Sequence, residues 1–135
     1  PRNFFSGTSF PCGLIDQYSS SKLRNVIINK IKPKKKIRYK RIYLDRENST
    51  YRSIINYNDV INYYKKQKYE IIRMEKLSFD EQVYIISKAD FIAGPAGASF
   101  ANLLFCKKNA KVTMLFAKNY HSLYFLWVNL CSLTR

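Results

Sequence analysis

The sequence predicts an α/β protein with a doubly wound parallel sheet, and three observations support this prediction. Four short runs of β-forming residues occur in the chain, at 41–44, 69–74, 91–93 and 111–116. Segments between these runs carry apolar residues at helical spacing and are long enough for the crossovers that parallel strands require. A hydrophobic content of 47% with 16% aromatic residues is typical of a globular chain that can bury a core.

Each helical segment has its own sequence signals. Three consecutive serines, Ser19 to Ser21, offer a cap for a helix over 22–31, and Pro33 ends it. A second helix is expected over 58–67, and the pair Ser78 and Glu81 forms a capping box for a third that ends near Lys88. A last helix is expected over 120–130. The side chains predicted to face inward are Leu23, Val26, Ile27 and Ile31 in the first helix, Val60, Ile61 and Tyr64 in the second, and Phe79, Val83 and Ile86 in the third.

The stretch that organises the chain is a glycine turn between a strand and a helix. Phe91–Ala93 has the composition of a buried strand, Gly94 and Pro95 are expected to end it, and helical spacing resumes from Gly97. The first N–H groups of such a helix are unpaired and favour an anion, best of all a phosphate. The alternative is a turn that serves packing alone. In doubly wound sheets ligands bind outside the carboxyl ends of strands, where this turn and the loop around Arg46 both lie, and this favours the ligand interpretation.

The chain is strongly basic, with a net charge of +15 and a pI near 9.9. Between Lys30 and Arg41 there are eight cations in twelve positions and no acid. Nucleic acid, acidic lipid and nucleotide phosphate all fit this charge. Because 32–36 lacks apolar periodicity, we expect an exposed linker here. We divide the chain into an entry segment, 1–37, with one helix and this basic linker, and a domain, 38–135.

Other site classes have little support in the sequence. Cys12, Cys106 and Cys131 are widely spaced and fit neither a disulfide framework nor a zinc site, so a reducing cytoplasm is the simplest compartment. His121 is the only histidine, which disfavours a His-based triad or a multi-His metal site. No apolar run approaches the length of a membrane span. Because the chain begins at Pro1, we expect it to be a fragment of a longer polypeptide.

The order of motifs resembles glycosyltransferase family 61 over about residues 38 to 117. Arg41-Ile-Tyr-Leu-Asp-Arg46 is similar to the family's strand that closes with an arginine. Arg52 and Asn56 match its Arg and Asn before a helix, and Glu81-Gln82 match its Glu-Gln pair. The segment from Gly94 to Asn102 resembles its Gly-Pro-His-Gly-Ala-Gly-Leu-Thr-Asn turn. Ala96, Ser99 and Ala101 replace that turn's His, third Gly and Thr, and Met114 stands where the family tends to carry a Glu that could hold the donor's ribose.

The resemblance implies a fold, an activity and partners. The fold is GT-B, with two Rossmann-like domains, of which this chain would be the C-terminal, donor-binding half. The activity is transfer of a sugar from a nucleotide-sugar donor to a glycan or lipid-linked glycan, as in bacterial capsule or surface polysaccharide synthesis. The enzyme would act in the cytoplasm, with peripheral contact with the inner face of an anionic membrane, and nucleic acid is not an expected partner. The alternative is a non-catalytic basic module that binds nucleic acid or an acidic surface.

The resemblance also assigns the site residues. The donor diphosphate would be bound by Gly94, Pro95, Ala96, Gly97, Ala98, Ser99, Asn102, Arg46 and Arg52, with support from Asn56, Glu81 and Gln82. The two arginines would pair with phosphate oxygens and stabilise the leaving nucleotide, so neither a metal nor another cofactor is expected. The alternative is that these two arginines form surface salt bridges with Asp45, Glu47 or Glu70. Capping and orientation are favoured for Glu81 and Gln82, and a bond to the turn's own backbone for Asn102. The catalytic base is unknown and would lie outside this chain.

Overall fold

The computed structural model describes residues 16–46, 54–118 and 124–132. The order of elements along the chain is α1 (Gln17–Lys30), β1 (Arg41–Leu44), α2 (Tyr57–Lys66), β2 (Glu70–Ile72), a 3₁₀ turn (Met74–Lys76), α3 (Phe79–Lys88), β3 (Phe91–Pro95), a 3₁₀ helix (Ala98–Phe105), β4 (Lys111–Leu115) and α4 (Tyr124–Ser132). Within these ranges no helix combines the length and the apolar character needed to cross a membrane. Arg52, in the segment 47–53, lies outside the described residues, as do Cys12 and His121.

The four strands form one sheet in the order β2-β1-β3-β4, and every neighbouring pair is parallel. This confirms the predicted parallel α/β sheet. Helices cover both faces, as a doubly wound sheet requires. The larger core cluster packs α3 and the 3₁₀ helix against one face of the strands, and the smaller packs α2 against the other. Representative members are Ile42, Ile92, Val83 and Phe100 in the first cluster, and Tyr43, Ala93, Ile61 and Tyr64 in the second.

The strand order places a topological switch point between β1 and β3. From β1 the chain first moves outward to β2, and then returns past β1 to β3 and β4. The connections on the two sides of β1 therefore leave in opposite directions, which opens a crevice at the carboxyl ends of β1 and β3. Residues that directly follow these two strands line this crevice.

Strand β3 is longer than the sequence predicts. Gly94 and Pro95 were expected to end it, but both belong to the strand. The N–H of Ala96 donates to the carbonyl of Leu115 at 2.9 Å, so the ladder with β4 continues past the proline. Successive N–H groups of a strand point to alternate sides, so the donor that Pro95 lacks would point toward β1. Because β1 ends at Leu44, no ladder bond is lost there.

Helix α1 begins earlier and faces the core differently than predicted. The cap is Asp16, whose carboxylate accepts a hydrogen bond from the Ser19 N–H at 2.7 Å, and not one of the serines. Leu23 and Val26 were expected to be buried but are 51% and 45% exposed. The side that faces the rest of the protein consists of Ser20, Arg24, Ile27, Ile28 and Ile31. Arg24 donates to the Cys106 carbonyl at 3.0 Å, so a polar contact helps set the rotation of the helix.

The remaining differences are local. Val83 and Ile86 of α3 are buried as predicted, but Phe79 is 52% exposed, with its ring in a T-shaped contact with Phe105. Strand β2 is shorter than 69–74, because Met74 starts a 3₁₀ turn. The helix after Gly97 is a 3₁₀ helix rather than an α-helix. The capping box of α3 is confirmed, as are the buried positions Ile61 and Tyr64 of α2.

Candidate functional site

The crevice at the switch point brings together two segments that are far apart in the sequence. Arg46 follows β1, and its Nη1 donates a hydrogen bond to the carbonyl of Ala96, which follows β3, at 3.1 Å. The two residues are 50 positions apart in the chain. Two of the predicted phosphate-binding segments therefore meet at the place where doubly wound folds bind ligands.

Gly97 provides the space in which the Arg46 side chain lies. A Cβ at position 97 would be 3.0 Å from Cζ of Arg46 and closer still to Nη1. The φ of Gly97 is 173°, which is extended backbone that any residue adopts, so left-handed geometry is not the reason for this glycine. The absence of a side chain at position 97 therefore lets a guanidinium cross the turn.

Gly94 has a different role, because it lies inside β3. Its φ is +152°, a conformation that disfavours side chains, and a Cβ there would be 2.6 Å from the Leu44 carbonyl oxygen. This glycine therefore allows β3 to approach the end of β1. Its position is buried within the sheet and not in the turn itself.

The backbone N–H groups of the turn differ in what they bond. The Ala96 N–H is used by the ladder with β4, and the Phe100 N–H donates to the Gly97 carbonyl at 2.9 Å. The first N–H groups of a 3₁₀ helix have no carbonyl within the helix to bond, which here concerns Ala98 and Ser99. Ala98 is exposed and Ser99 half-buried. These two residues therefore present the N–H groups best placed for an anion, together with the Ser99 hydroxyl.

A buried carboxylate adjoins the crevice. Asp45 is 1% exposed, and its carboxylate accepts hydrogen bonds from the Arg46 N–H at 2.8 Å, the Tyr57 hydroxyl at 3.0 Å and Nε of Arg73 at 3.0 Å. Burial and the bond to Asp45 raise the pKa of Tyr57 to about 12, so this phenol is a donor at neutral pH. The carboxylate thus connects the ends of β1 and β2 and fixes the backbone from which the Arg46 side chain projects.

The sequence analysis missed most of this cluster. It treated Asp45 only as a possible ion-pair partner for an arginine side chain, whereas Asp45 bonds the backbone of Arg46 and pairs with Arg73. It gave Tyr57 and Arg73 no role. One signal was available, since an aspartate that directly follows a buried strand lies at the ligand-binding edge of a parallel sheet.

Tyr43 contributes a second buried polar group near this cluster. Its side chain is fully buried, and its hydroxyl finds no hydrogen-bond partner in the part of the chain that the structure describes. Burial, followed by the nearby Tyr64 and Asp45, raises its pKa to about 12. The Tyr43 and Tyr64 rings are in contact, with centroids 4.5 Å apart.

Two predicted supporting residues, Gln82 and Glu81, and the predicted donor-binding residue Asn102 make hydrogen bonds within the protein. The Gln82 side-chain amide donates to the carbonyls of Met74 and Leu77 at 2.9 and 3.1 Å, and its oxygen accepts from Asn102 at 3.0 Å. A bond from Asn102 to the backbone of its own turn was expected. Its side-chain amide instead donates to Gln82 and so joins the 3₁₀ helix to α3. Glu81 completes the capping box with Ser78, as predicted.

Two further positions compared with the family motif are Asn56 and Met114. Asn56 is exposed at the start of α2, where its side chain makes no capping bond. Met114 pairs in register with Gly94 and packs partly against the larger core cluster.

A groove of about 670 Å³ lies beside β2 and α2, and Asp45 is among its lining residues. Residues of α2, β2 and the 3₁₀ turn line it together with residues that flank β1 and β2, among them Tyr39, Asp45, Tyr57, Glu70, Arg73 and Lys76. Asp45, Tyr57 and Arg73 line this groove, and Asp45 also bonds the backbone of Arg46, whose side chain reaches the crevice.

A family model described as Glycosyltransferase 61 matches residues 4–113, which is most of the chain. The chain belongs to glycosyltransferase family 61. The match contains every predicted site residue, and it begins well before the stretch on which the resemblance was based. A comparison with curated proteins gave no match.

Membership in family 61 implies glycosyltransferase activity, and with it a sugar donor and an acceptor. This family membership is consistent with the parallel α/β sheet. It does not favour the alternative of a non-catalytic basic module. The donor, the acceptor and the roles of single residues belong to the proposal that follows.

Proposed function

We propose that this family 61 chain binds the diphosphate of a nucleotide-sugar donor in the crevice between β1 and β3, for transfer of the sugar to a glycan or lipid-linked glycan acceptor. The contact between Arg46 and the Ala96–Gly97 backbone supports this proposal most directly. It brings a cation to a switch point whose neighbouring 3₁₀ helix begins with N–H groups that lack helical acceptors.

The proposed chemistry follows from these groups. Glycosyl transfer leaves negative charge on the departing nucleoside diphosphate. Arg46 would stabilise this charge through paired N–H donors, and Ala98 and Ser99 would add backbone N–H groups. Because its oxygens are engaged by Arg73, Tyr57 and a backbone N–H, we assign Asp45 to positioning of Arg46 and not to proton transfer. The general base is expected outside this chain, and no metal is assigned to the site.

The wider setting is also part of the proposal. We infer that the chain is the C-terminal, donor-binding half of a GT-B enzyme that acts in the cytoplasm in capsule or surface polysaccharide synthesis. The parallel sheet, its switch point and the family support this inference. Arg52 is expected to contribute a second cation to the diphosphate.

Calorimetric titration with uridine, guanosine and cytidine diphosphates tests the donor site. One nucleotide is expected to bind selectively, and Arg46→Ala is expected to weaken it by roughly 1.5–3 kcal/mol through loss of a charge-assisted pair. Arg38→Ala is the matched control, because Arg38 is an exposed cation that precedes β1 and bonds Tyr84 of α3. Equal losses in the two variants would indicate general electrostatic attraction and contradict the proposed site.

A further inference from the structure

The basic linker of the sequence analysis has a defined position in the structure. We call residues 32–40 the basic segment; it carries six cations and no acid, and it forms neither helix nor strand. Ile31, directly before the segment, and Tyr39, near its end, pack against the larger core cluster. Five of its six cations are exposed lysines, and the sixth, Arg38, is exposed as well. The prediction of an exposed basic stretch is therefore confirmed.

Helix α3 holds this segment along one of its faces. The Lys32 N–H donates to the Asp80 carboxylate at 2.8 Å, and Nε of Arg38 donates to the Tyr84 hydroxyl at 3.2 Å. Asp80 and Tyr84 are four residues apart and so lie on the same side of the helix. Lys88 lies one turn further on, with Nζ 5.8 Å from the centre of the Tyr84 ring. Helix α3 therefore holds the basic segment at Lys32 and at Arg38.

The potential along this face is positive. The Asp80 and Glu81 carboxylates are the acids of α3 that face the segment, and both are bonded, to Lys32 and Ser78 respectively. The hydrogen bond from Arg38, followed by the charges of Arg38, Lys88 and Lys36, lowers the pKa of Tyr84. A polyanionic surface would therefore be attracted here.

Exposed apolar side chains accompany these cations. Ile37, within the basic segment, is 43% exposed, and Phe79, next to Asp80 at the start of α3, is 52% exposed. Lipid interfaces accept apolar side chains between cations, and this combination is typical of peripheral membrane binding. A phosphodiester backbone offers no comparable contact to an aliphatic side chain such as Ile37. These two residues favour a bilayer over nucleic acid.

We propose that the basic segment, together with Lys88, Ile37 and Phe79, docks this protein on the surface of an anionic lipid bilayer. The surface lies along the outer side of α3 and is separate from the β1–β3 crevice, so this inference does not depend on the proposed donor site. Docking here would hold the enzyme at a membrane through residues that take no part in the contact between Arg46 and Gly97.

Co-sedimentation with vesicles tests the inference. One set contains phosphatidylcholine alone, and the other contains three parts phosphatidylcholine to one part phosphatidylglycerol. The protein is expected to bind the anionic vesicles only, and added salt is expected to release it. The variant Lys34→Gln, Lys35→Gln, Lys36→Gln is expected to bind at least ~10-fold more weakly, because each surface cation contributes to the attraction.

Two further variants make the test specific. The change Lys65→Gln, Lys66→Gln, Lys68→Gln removes the same charge from exposed positions at the end of α2 and is expected to keep wild-type binding. Ile37→Ser is expected to weaken binding several-fold at unchanged charge. If the two lysine variants lose vesicle binding equally, the binding depends only on the net charge of the protein, and the proposal is overturned. Tighter binding to a single-stranded oligonucleotide than to anionic vesicles, with the same dependence on Lys34 to Lys36, would overturn it in favour of nucleic acid.

Discussion

The guanidinium of Arg46 occupies the space that a side chain at Gly97 would need. The distance from a Cβ at position 97 to Cζ of Arg46 would be 3.0 Å, and the arginine donates to the neighbouring Ala96 carbonyl. The glycine therefore positions a cation beside the turn, in addition to any room it leaves for a ligand. We therefore expect substitution of Gly97 to lower nucleotide affinity with little effect on stability, and substitution of Gly94 to lower the stability of the fold.

Gly97→Ala should leave the fold intact but displace Arg46. The atoms that the new Cβ would meet belong to the end of a flexible side chain, so they move at little cost, and we expect a loss of stability within about 1 kcal/mol. Nucleotide affinity should fall as far as in Arg46→Ala, and the double variant should lose no more than either single one. Calorimetry on the three variants measures this, and additive losses would refute a shared role. The same coupling is expected for the bulkier Gly97→Val.

Gly94→Ala provides the contrast. Here the Cβ would meet the backbone oxygen of Leu44 at 2.6 Å, and the φ of +152° is unfavourable for alanine. Strain and overpacking together should cost about 2–4 kcal/mol in the free energy of unfolding, measured by urea denaturation. A Gly94→Ala protein as stable as Gly97→Ala would show that β1 and β3 separate there without difficulty.

Asp45→Asn should be strongly destabilising. Asp45 is 1% exposed, and the change removes the negative charge that accepts hydrogen bonds from Arg73, Tyr57 and the Arg46 N–H. We expect a loss of about 3 kcal/mol in unfolding free energy. The control is Asp59→Asn, an exposed acid in the first turn of α2, for which a loss within about 1 kcal/mol is expected. Similar losses in both variants would mean that the carboxylate cluster contributes little to stability.

Tyr43→Phe should stabilise the protein, because it removes a buried hydroxyl that has no partner among the described residues. A gain of about 1 kcal/mol is expected at pH 7, measured by chemical denaturation. Tyr63→Phe, at a position that is 60% exposed, should have no effect there. A loss of stability in Tyr43→Phe would instead indicate that the hydroxyl has a partner outside the described ranges.

The same substitution should reduce the loss of stability in alkali. The pKa of Tyr43 is about 12 in the folded protein, above its ordinary value of 10.0. The folded state therefore holds the phenol proton more tightly than the unfolded state, so stability is constant in this respect below pH 10 and falls as the pH rises through 12. Wild-type stability should fall over that interval more steeply than that of Tyr43→Phe. Denaturation curves at successive pH values measure the two slopes, and equal slopes would contradict the shift.

Gln82→Ala should cost about 2 kcal/mol, because it leaves the Met74 and Leu77 carbonyls and the Asn102 amide without this partner. Asn102→Ala removes only the last of these bonds and should cost about 1 kcal/mol. The double variant should lose less than the sum of the two single losses, since they share one hydrogen bond. Thermal unfolding of the set measures the coupling, with the exposed Gln67→Ala as control. Strict additivity would mean that Gln82 and Asn102 act independently.

The amino-acid sequence by itself determined the elements of this fold. Strand β1 lies where predicted, at Arg41–Leu44, and the capping box at Ser78 starts α3, because both depend on neighbouring residues. The alternation of strands and helices was sufficient to predict a parallel sheet, and the motif order was sufficient to indicate the family.

Only the tertiary structure decided how these elements use their side chains. Helix α1 has apolar residues on several sides, and its packing against the core, not its periodicity, leaves Leu23 and Val26 exposed. From the sequence alone, Gly97 is interpreted as part of a phosphate-binding turn. The structure shows that the side chain of Arg46, which follows a different strand, also occupies the space beside this glycine. The grouping of Asp45, Tyr57 and Arg73 depends on β1 and β2 ending side by side. Local sequence encodes local hydrogen bonds, whereas contacts between distant segments follow from strand order and register, which arise only when the whole sheet forms.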